Sequence, residues 1–575
     1  MKNARLRSGD MSLRGVPAVF SSYRTGLASI VVHPLDVFMS LILTLAVCIM
    51  WLALAIGFCG IGVLLLRHLT GFQADWQNAY VAVWAGFGLV MGGLLVWHFF
   101  LPVNGLALWA FAFVVTASLI LERDWFRMVL LNRLSPSLVV PVFLFMVWTA
   151  NHALAPGGMD DYNYEFQAIR WFHDYRIVPG LGNLHGRIGF NNSHHLLAAL
   201  LSSGPWSGGV NHIFNGFFVA LTFTLFAAAL RDLALSRESA WALPGALMIS
   251  PCVGLVLFGI FGPTISTLKA DVFLCAATAA IAVLFIEFAH TPVRDARHLA
   301  LGATILPVAS VLFSVKITSV VFSVTLAISV LTHLLATVGW RNRVTLSSAL
   351  VAAMIYCSVL VRGVLLSGYP LYPSTILAAN VDWRVPIAQA NAERAFITSW
   401  AQLRATYETL VTGWAWIPTW ARSTVLTDKF DIVLPLTLAL LCVPSLLLSS
   451  RSQEDSGDPE WGWVTLTAAS LGSLSVWFVQ APAGRFASIY FWILFAVAFV
   501  NVLRRGRWLS RWAFALGTGI MMAVAMYILF NVVGVPREFR AGMLMMLAFS
   551  FLWLNSLRFL NEKRHAQGLP YFVWH

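Results

Sequence analysis

The stretch VFMSLILTLAVCIMWLALAIGFCGIGVLLL, from Val37 to Leu66, contains no charged side chain. A continuous apolar run of this length matches the roughly 30 Å hydrocarbon core of a bilayer. It is far longer than the roughly 7 to 15 apolar residues of a secretory signal peptide. Its apolar residues do not alternate with polar ones, as they would in the strands of a membrane barrel. The stretch therefore predicts a transmembrane helix.

Similar runs recur along the 575 residues, of which 59% are hydrophobic and only 11% are charged. No water-soluble domain of this size has such a composition. The sequence predicts an all-α integral membrane protein with about 14 or 15 transmembrane helices. The other predicted spans are Tyr80 to Leu101, Gly105 to Leu121, Leu138 to Ala155, His212 to Leu230, Trp241 to Phe261, Val272 to Ala289, Leu299 to Val315, Ile317 to Ala336, Leu346 to Leu366, Ile432 to Leu448, Trp463 to Val479, Ala487 to Leu503, Trp512 to Val533 and Ala541 to Leu560.

The spacing of these runs predicts six parts of the chain. They are a basic N-terminal segment (1–36), the N-terminal transmembrane helices (37–137), a transmembrane core with a chemically rich outer loop at 156–211 (138–366), a long outer loop (367–430), the C-terminal transmembrane helices (431–560) and a cytoplasmic tail (561–575).

Arginine and lysine residues set the orientation. Beyond Leu138, every second link carries them, and such links are cytoplasmic in membrane proteins. The basic links contain Arg231 and Arg237, Arg294 and Arg297, Arg341 and Arg343, Arg504 to Arg511, and Lys563 with Arg564. This pattern also accounts for the net charge of +12 without a nucleic-acid partner. The basic residues before Val37 would be cytoplasmic as well, which conflicts with three spans ahead of Leu138, so the topology of those three runs stays open.

The outer loop begins with GGMDDYNYEFQAIRWFHDY, residues 157 to 175. Its apolar residues have helical spacing, which predicts a helix lying along the membrane surface. The apolar stripe consists of Tyr164, Ala168, Trp171, Phe172 and Tyr175. The polar face is predicted to carry Glu165, Arg170, His173 and Asp174.

Asp160 and Asp161 stand where this surface helix is expected to begin. Aspartate is among the best residues for capping a helix N-terminus. A carboxylate just beyond a membrane exit can also act as general base toward a substrate hydroxyl. The two roles are compatible with each other.

The pattern Asp160-Asp161-x-x-Tyr164-x-x-x-Ala168 resembles the acidic motif in the first outer loop of polytopic GT-C type glycosyltransferases. Asn192 to Leu201 is similar to the stretch where those enzymes return to the membrane, with Asn-Ser in place of their usual Pro pair. More narrowly, VPGLGNLHGRIGFN, LLSGYPLYPS, DWRVP and RFASIYFW resemble phrases of an uncharacterised family of bacterial multi-pass membrane proteins, from Leu138 to about Val502. The first resemblance implies a GT-C-like fold, with Asp160 as the base and Asp161 as second candidate or orienting group.

Five cations are candidates for binding the phosphate of a donor: Lys269, Lys316, Arg362, Arg485 and Arg187. Topology assigns four of them, from separate segments, to the outer face, and an ionisable residue at a membrane boundary is a functional candidate. Lysine there can also extend to lipid headgroups, and Lys269 can pair with Asp271. Arg187 lies in a Gly-rich loop that suits either a turn or a phosphate contact.

Four further residues of the outer loop are candidates for substrate binding: Tyr164, His185, Asn192 and His194. The histidines do not have zinc-site spacing. No cofactor is predicted, and the need for a divalent metal stays open.

These features favour a glycosyltransferase that moves a sugar from a polyprenyl-phosphate-linked donor to a saccharide or lipid acceptor. We expect it to work at the outer face of the bacterial cytoplasmic membrane. One alternative is a lipid-linked saccharide polymerase or ligase, whose catalysis would depend on basic residues instead of Asp160. A transporter or flippase for lipid-linked saccharides ranks third, because the charges gather at one face instead of following a path across the bilayer.

Overall fold

The computed structural model describes residues 34–73, 75–131, 136–234, 240–258, 265–403, 413–448 and 460–505. Within these ranges the regular structure is entirely helical. Each predicted span that falls on described residues coincides with a helix. The basic N-terminal segment, the predicted spans Trp512 to Val533 and Ala541 to Leu560, and the C-terminal tail lie outside the described residues.

The α-helices are numbered in chain order. They are α1 (Pro34–Thr70), α2 (Trp76–Phe100), α3 (Gly105–Leu121), α4 (Arg123–Leu131), α5 (Pro136–Ala153), α6 (Phe166–Asp174), α7 (His194–Ser202), α8 (Phe214–Ala234), α9 (Ala242–Phe258), α10 (Ala270–His290), α11 (Ala296–Val315), α12 (Val320–Thr337), α13 (Arg343–Ser367), α14 (Ile387–Leu403), α15 (Ile417–Thr427), α16 (Leu434–Leu448), α17 (Glu460–Gln480) and α18 (Ser488–Arg505).

In the described part of the chain, nine helical segments are long and apolar enough to cross a membrane. The number becomes ten if α3 and the following short helix, which are bent by 71° relative to each other, count as one broken span. The apolar segments Ala242–Gly254 and Ser488–Val502 are shorter. These helices indicate a multi-pass membrane protein.

The long helices are joined by short links and run alternately up and down, which gives the bundle two distinct ends. One end, here called the loop end, carries residues 154–213, 265–269, 316–319 and 481–487. The opposite end carries Arg-bearing links, where Arg297 of α11 donates a hydrogen bond to Asn78 of α2 at 2.6 Å. At the same end, Arg67 of α1 pairs with Glu122 beside α3 at 2.6 Å.

Helices α1 and α2 are each long enough to cross a membrane, and α3 is so together with the short helix that follows it. The indole of Trp51 in α1 donates a hydrogen bond to the Ile213 carbonyl at the loop end, at 2.8 Å. The carbonyl of His98, near the end of α2, accepts one from Ile177 N at 2.9 Å, also at the loop end. Helix α1 therefore starts at the loop end, α2 returns to it and α3 leaves it again. The three runs therefore alternate in direction within the bundle.

Helices α10 and α11 form the centre of the bundle, and their apolar side chains are almost all buried. The surrounding helices α1, α3, α5 and α13 instead expose large apolar residues. On α3, for example, Trp109 is 77% and Phe113 is 74% exposed. A belt of exposed apolar side chains on a helical bundle is a surface suited to lipid.

Two glycines allow α1 and α2 to pack at very short distance. A Cβ atom added to Gly62 would lie 1.9 Å from the Ala82 carbonyl oxygen. One added to Gly86 would lie 1.8 Å from the Phe58 carbonyl oxygen. Small residues at such crossings are typical of helix packing in membranes, so any larger residue at either position would push the two helices apart.

Candidate functional site

The surface helix at the loop end begins with a π-helical turn, Asp161–Glu165, and continues as α6. The sequence analysis correctly predicted a helix here, but its buried face is different from the predicted one. The buried residues are Asp161, Glu165, Ala168, Ile169 and Phe172, and Tyr175 is exposed. Glu165, assigned to the polar face, therefore points into the protein, because the buried stripe starts at Asp161 and not at Tyr164.

Asp161 is completely buried and holds two backbone segments together. One carboxylate oxygen accepts a hydrogen bond from Gly158 N at 2.8 Å, and the other accepts one from Leu268 N at 3.0 Å. Asp160 has helical backbone angles and no capping hydrogen bond from its side chain. Asp161 thus links the outer loop to the segment that precedes α10 through buried hydrogen bonds. Neither Asp160 nor Asp161 caps the helix in the expected way.

That preceding segment, residues 265–269, is here called the 265–269 linker. Side-chain amides hold its carbonyl groups: Asn211 donates to Ser266 O at 2.8 Å, and Asn215 donates to Thr267 O at 2.6 Å and Lys269 O at 3.0 Å. Since Asn211 and Asn215 bond three of its carbonyl groups, the linker has a defined path. It fixes the position of Lys269.

His194, the first residue of α7, also bonds this linker. Its Nε2 donates to the Leu268 carbonyl at 2.9 Å, and its Nδ1 has no partner among the described residues. Burial lowers the pKa of His194 to about 4, so the ring is neutral at physiological pH. Asn192, two residues earlier, uses its backbone carbonyl to accept a hydrogen bond from His195 N at 3.3 Å. Of these two candidates for substrate binding, His194 therefore holds the 265–269 linker through its side chain.

Five charged residues gather at the start of α10 and are here called the charge cluster: Asp160, Lys269, Asp271, Lys316 and Arg485. Asp160 pairs with Lys269 at 3.0 Å. Asp271, in the first turn of α10, pairs with Lys316 and, at 3.6 Å, with Arg485. The cluster has three cations and two carboxylates. Its members come from the outer loop, the 265–269 linker and α10, the α11–α12 link and the α17–α18 link.

Aromatic rings border the cationic side of the charge cluster. The Lys316 ammonium lies 3.8 Å from the centre of the Phe486 ring, and the Arg485 guanidinium lies 4.7 Å from that of Trp400. Beneath them, a cavity lined by Asp271, Arg485 and other residues measures about 10 Å³, room for about one water molecule. The side chains of Asp160, Lys316 and Arg485 are 36%, 24% and 33% exposed. A ligand would therefore approach the cluster from the loop side.

Glu165 is buried and lies four residues after Asp161, at the end of the same π-helical turn. Burial, followed by the hydrogen bond and charge of Asp161, raises the pKa of Glu165 well above its usual value. Its Oε2 has no partner among the described residues. Burial and a neighbouring carboxylate both favour the neutral form of a glutamate. The only signal for Glu165 in the sequence was its spacing of four residues from Asp161.

Arg362 lies apart from the charge cluster. It is 1% exposed, its Nη1 donates to Nδ1 of His98, and its guanidinium lies 4.4 Å from the centre of the Phe172 ring. It therefore contacts α2 and the underside of α6. Of the five cations predicted to bind phosphate, Arg362 therefore does not join the charge cluster.

Tyr164, His185 and Arg187 contact one another, and Tyr164 lies about one helical turn after Asp160 of the charge cluster. The rings of Tyr164 and His185 are stacked, with centres 5.7 Å apart. Arg187 pairs with Glu393 of α14 at 2.7 Å, so its charge is already balanced within the protein. Glu393 did not figure among the candidate residues, because α14 lies 200 residues downstream and has an ordinary surface-helix pattern.

Among the described residues, no three His, Cys, Asp or Glu side chains are grouped as metal ligands. The carboxylates of the charge cluster have cations as partners instead.

A comparison with known protein families gives one match. The sequence model of the family described as Domain of unknown function (DUF8201) matches residues 44–492. No curated protein and no solved structure matches the chain. The match covers most of the first helix, the outer loop and every member of the charge cluster. The chain belongs to this family.

Proposed function

We propose that the protein is a membrane glycosyltransferase of GT-C-like architecture, with about 14 or 15 transmembrane helices in the whole chain. It transfers a sugar from a polyprenyl-phosphate-linked donor to an acceptor hydroxyl. The observation that carries this proposal is the charge cluster. In it the partly exposed carboxylate of Asp160 pairs with Lys269, and Asp271, two residues further along the chain, pairs with Lys316 and Arg485.

In the proposed reaction, Asp160 removes the proton from the acceptor hydroxyl while the acceptor oxygen attacks the anomeric carbon of the donor. The bond between that carbon and the phosphate oxygen breaks, and its electron pair stays on the phosphate. The negative charge that grows on the leaving phosphate is stabilised by Lys316 and Arg485, and by Lys269 once Asp160 is protonated.

Asp271 has a supporting role in this mechanism. Without a counter-charge, three cations held near a low-dielectric region would repel one another. With Asp271 between Lys316 and Arg485, and with Asp160 ionised, the cluster keeps one net positive charge. A single excess charge favours an anionic ligand, and an incoming phosphate diester would match it.

The proposed location is the outer face of the bacterial cytoplasmic membrane. The links at the other end of the bundle, which carry Arg294, Arg297, Arg341 and Arg343, are of the kind that stays in the cytoplasm. The charge cluster lies at the opposite end of the same helices, where lipid-linked sugars and cell-envelope acceptors are available.

A transfer assay with purified protein and polyprenyl-phosphate sugars tests the proposal through Asp160→Asn. This substitution keeps the shape of the side chain and removes the base, so transfer should fall by about 100-fold or more. Asp174→Asn on the exposed end of α6 is the matched control and should retain activity. Wild-type activity of Asp160→Asn would remove Asp160 as the base and favour the polymerase or ligase alternative. Movement of the lipid-linked sugar without a covalent product would favour the flippase.

A further inference from the structure

An ion pair joins two distant outer segments beside the charge cluster. Arg187, in the Gly-rich part of the outer loop, lies 2.7 Å from a carboxylate oxygen of Glu393 in α14. The two side chains are only 25% and 21% exposed. The pair therefore forms part of a partly enclosed surface between the outer loop and α14.

Aromatic rings surround the guanidinium of Arg187. It lies 5.9 Å from the ring centre of Tyr164, and 5.3 Å from the ring centres of both Phe190 and Phe396. Such rings offer flat apolar faces next to a hydrogen-bond donor and acceptor. The combination suits a ligand with an apolar face and a polar edge.

The hydroxyl of Tyr372 is buried in the same place and has no partner among the described residues. A Cβ atom added to Gly186 would lie 3.2 Å from this hydroxyl and 3.1 Å from Oε2 of Glu393. The hydroxyl and one carboxylate oxygen thus both lie against Gly186. Burial and then the charge of Glu393 raise the pKa of Tyr372 to about 12, so the hydroxyl keeps its proton and can donate it in a hydrogen bond.

The charge of this surface differs from that of the charge cluster. Arg187 and Glu393 neutralise each other, whereas the cluster has an excess cation. A phosphate would be repelled by Glu393, but a neutral ligand with several hydroxyl groups can donate to Glu393 and accept from Arg187 and Tyr372. We propose that Tyr164, Arg187, Tyr372, Glu393 and Phe396 form a binding site for a saccharide ring.

The position of Tyr164 connects this saccharide site to the proposed reaction. Tyr164 lies four residues after Asp160 in the sequence, and its hydroxyl interacts electrostatically with both Asp160 and Arg187. A sugar on this surface would lie next to the base. The link to transfer rests on the proposed function, and the sugar belongs either to the acceptor or to the donor.

Saccharide binding is measured directly, without transfer, by saturation-transfer difference NMR. The probes are glucose, galactose, mannose and N-acetylglucosamine, and the full-length protein is held in lipid nanodiscs that contain no glycoside detergent. The variants are Glu393→Gln, which removes the carboxylate charge, and Tyr372→Phe, which removes only a hydroxyl without an internal partner. The control is Glu287→Gln, because Glu287 pairs with Arg297 at 2.9 Å with similar exposure at the opposite end of the bundle.

We expect wild-type protein and Glu287→Gln to bind at least one of these sugars equally well. Affinity should fall by about tenfold or more in Glu393→Gln and by about three- to tenfold in Tyr372→Phe. Absence of a signal for all four sugars with the wild type would overturn the site. Unchanged affinity in both variants would do the same, since a purely structural Tyr372 hydroxyl predicts no change.

The outcomes separate this site from the proposed reaction. Sugar binding that depends on Glu393, together with no transfer by any form of the protein, keeps the saccharide site and rejects the transferase. Transfer that depends on Asp160, together with sugar binding that does not depend on Glu393, keeps the transferase and rejects the saccharide site. If both hold, the KM that rises in Glu393→Gln identifies the sugar as that of the acceptor or that of the donor.

Discussion

The ammonium of Lys269 lies 3.0 Å from the carboxylate of Asp160, although Lys269 is only two residues from Asp271 in the chain. Lys269 precedes α10 with an extended backbone, whereas Asp271 belongs to the first helical turn. The two side chains consequently reach different partners. Lys269 pairs with Asp160 of the outer loop, and Asp271 pairs with Lys316 and Arg485. Two charged residues separated by a single alanine thus hold four segments of the protein together.

Arg485 and Arg362 form a matched pair for testing the phosphate site, since only Arg485 belongs to the charge cluster. Arg485→Met should weaken binding of the lipid-phosphate donor by about 10- to 100-fold, because a charged hydrogen-bond donor is lost. Arg362→Met should leave the donor KM unchanged. The measurement is the donor KM in the transfer assay. Equal losses in the two variants would mean that Arg485 acts through the fold.

Asp161→Asn should destabilise the protein. The asparagine amide has one acceptor oxygen, and its NH₂ group would face Gly158 N or Leu268 N, which now donate to the carboxylate. An unsatisfied buried donor costs about 1 to 3 kcal/mol. Thermal unfolding in nanodiscs, with Asp174→Asn as the exposed comparison, measures the effect. A variant that unfolds like the wild type but no longer transfers sugar would assign Asp161 to the chemistry instead.

Glu165 should make stability depend on pH. Its pKa is raised in the folded protein, so the folded state binds the proton more tightly than the unfolded chain. The free energy of unfolding should therefore fall as pH rises from the ordinary glutamate pKa of about 4.3 up to the folded pKa, by about 1.4 kcal/mol for each unit of difference. Glu165→Gln should flatten this part of the curve.

The test for Glu165 compares melting temperatures across pH for the wild type, Glu165→Gln and Glu287→Gln. Parallel curves for the wild type and Glu165→Gln would show that Glu165 does not titrate within the range. A flattening that also appears in Glu287→Gln would assign the pH dependence to another group.

Apolar run length and the alternation of basic links were sufficient to predict the helices, because both follow from the bilayer and not from details of packing. The gathering of Lys269, Lys316 and Arg485 at one end follows from the same alternation. The face of the surface helix was not predictable, since a π-helical turn changes the register and a buried Glu165 reads as a polar surface residue. The inward orientation of the Arg362 side chain could not be predicted either, because the sequence does not show whether a cation near a helix end points into the protein or outward.

Helix α10 has charged residues in its first and last turns, Asp271 and Glu287, and buried apolar residues between them. Its 21 residues correspond to a length of about 31 Å at 1.5 Å per residue, close to the roughly 30 Å of a bilayer core. The charged residues near both ends of the helix form ion pairs. The apolar length between them is therefore fixed and matches one bilayer thickness best. In a bilayer of short-chain lipids the resulting mismatch would bring Lys316 and Arg485 among the lipid phosphates. Those headgroups would then compete with the proposed lipid-phosphate donor for the same two cations.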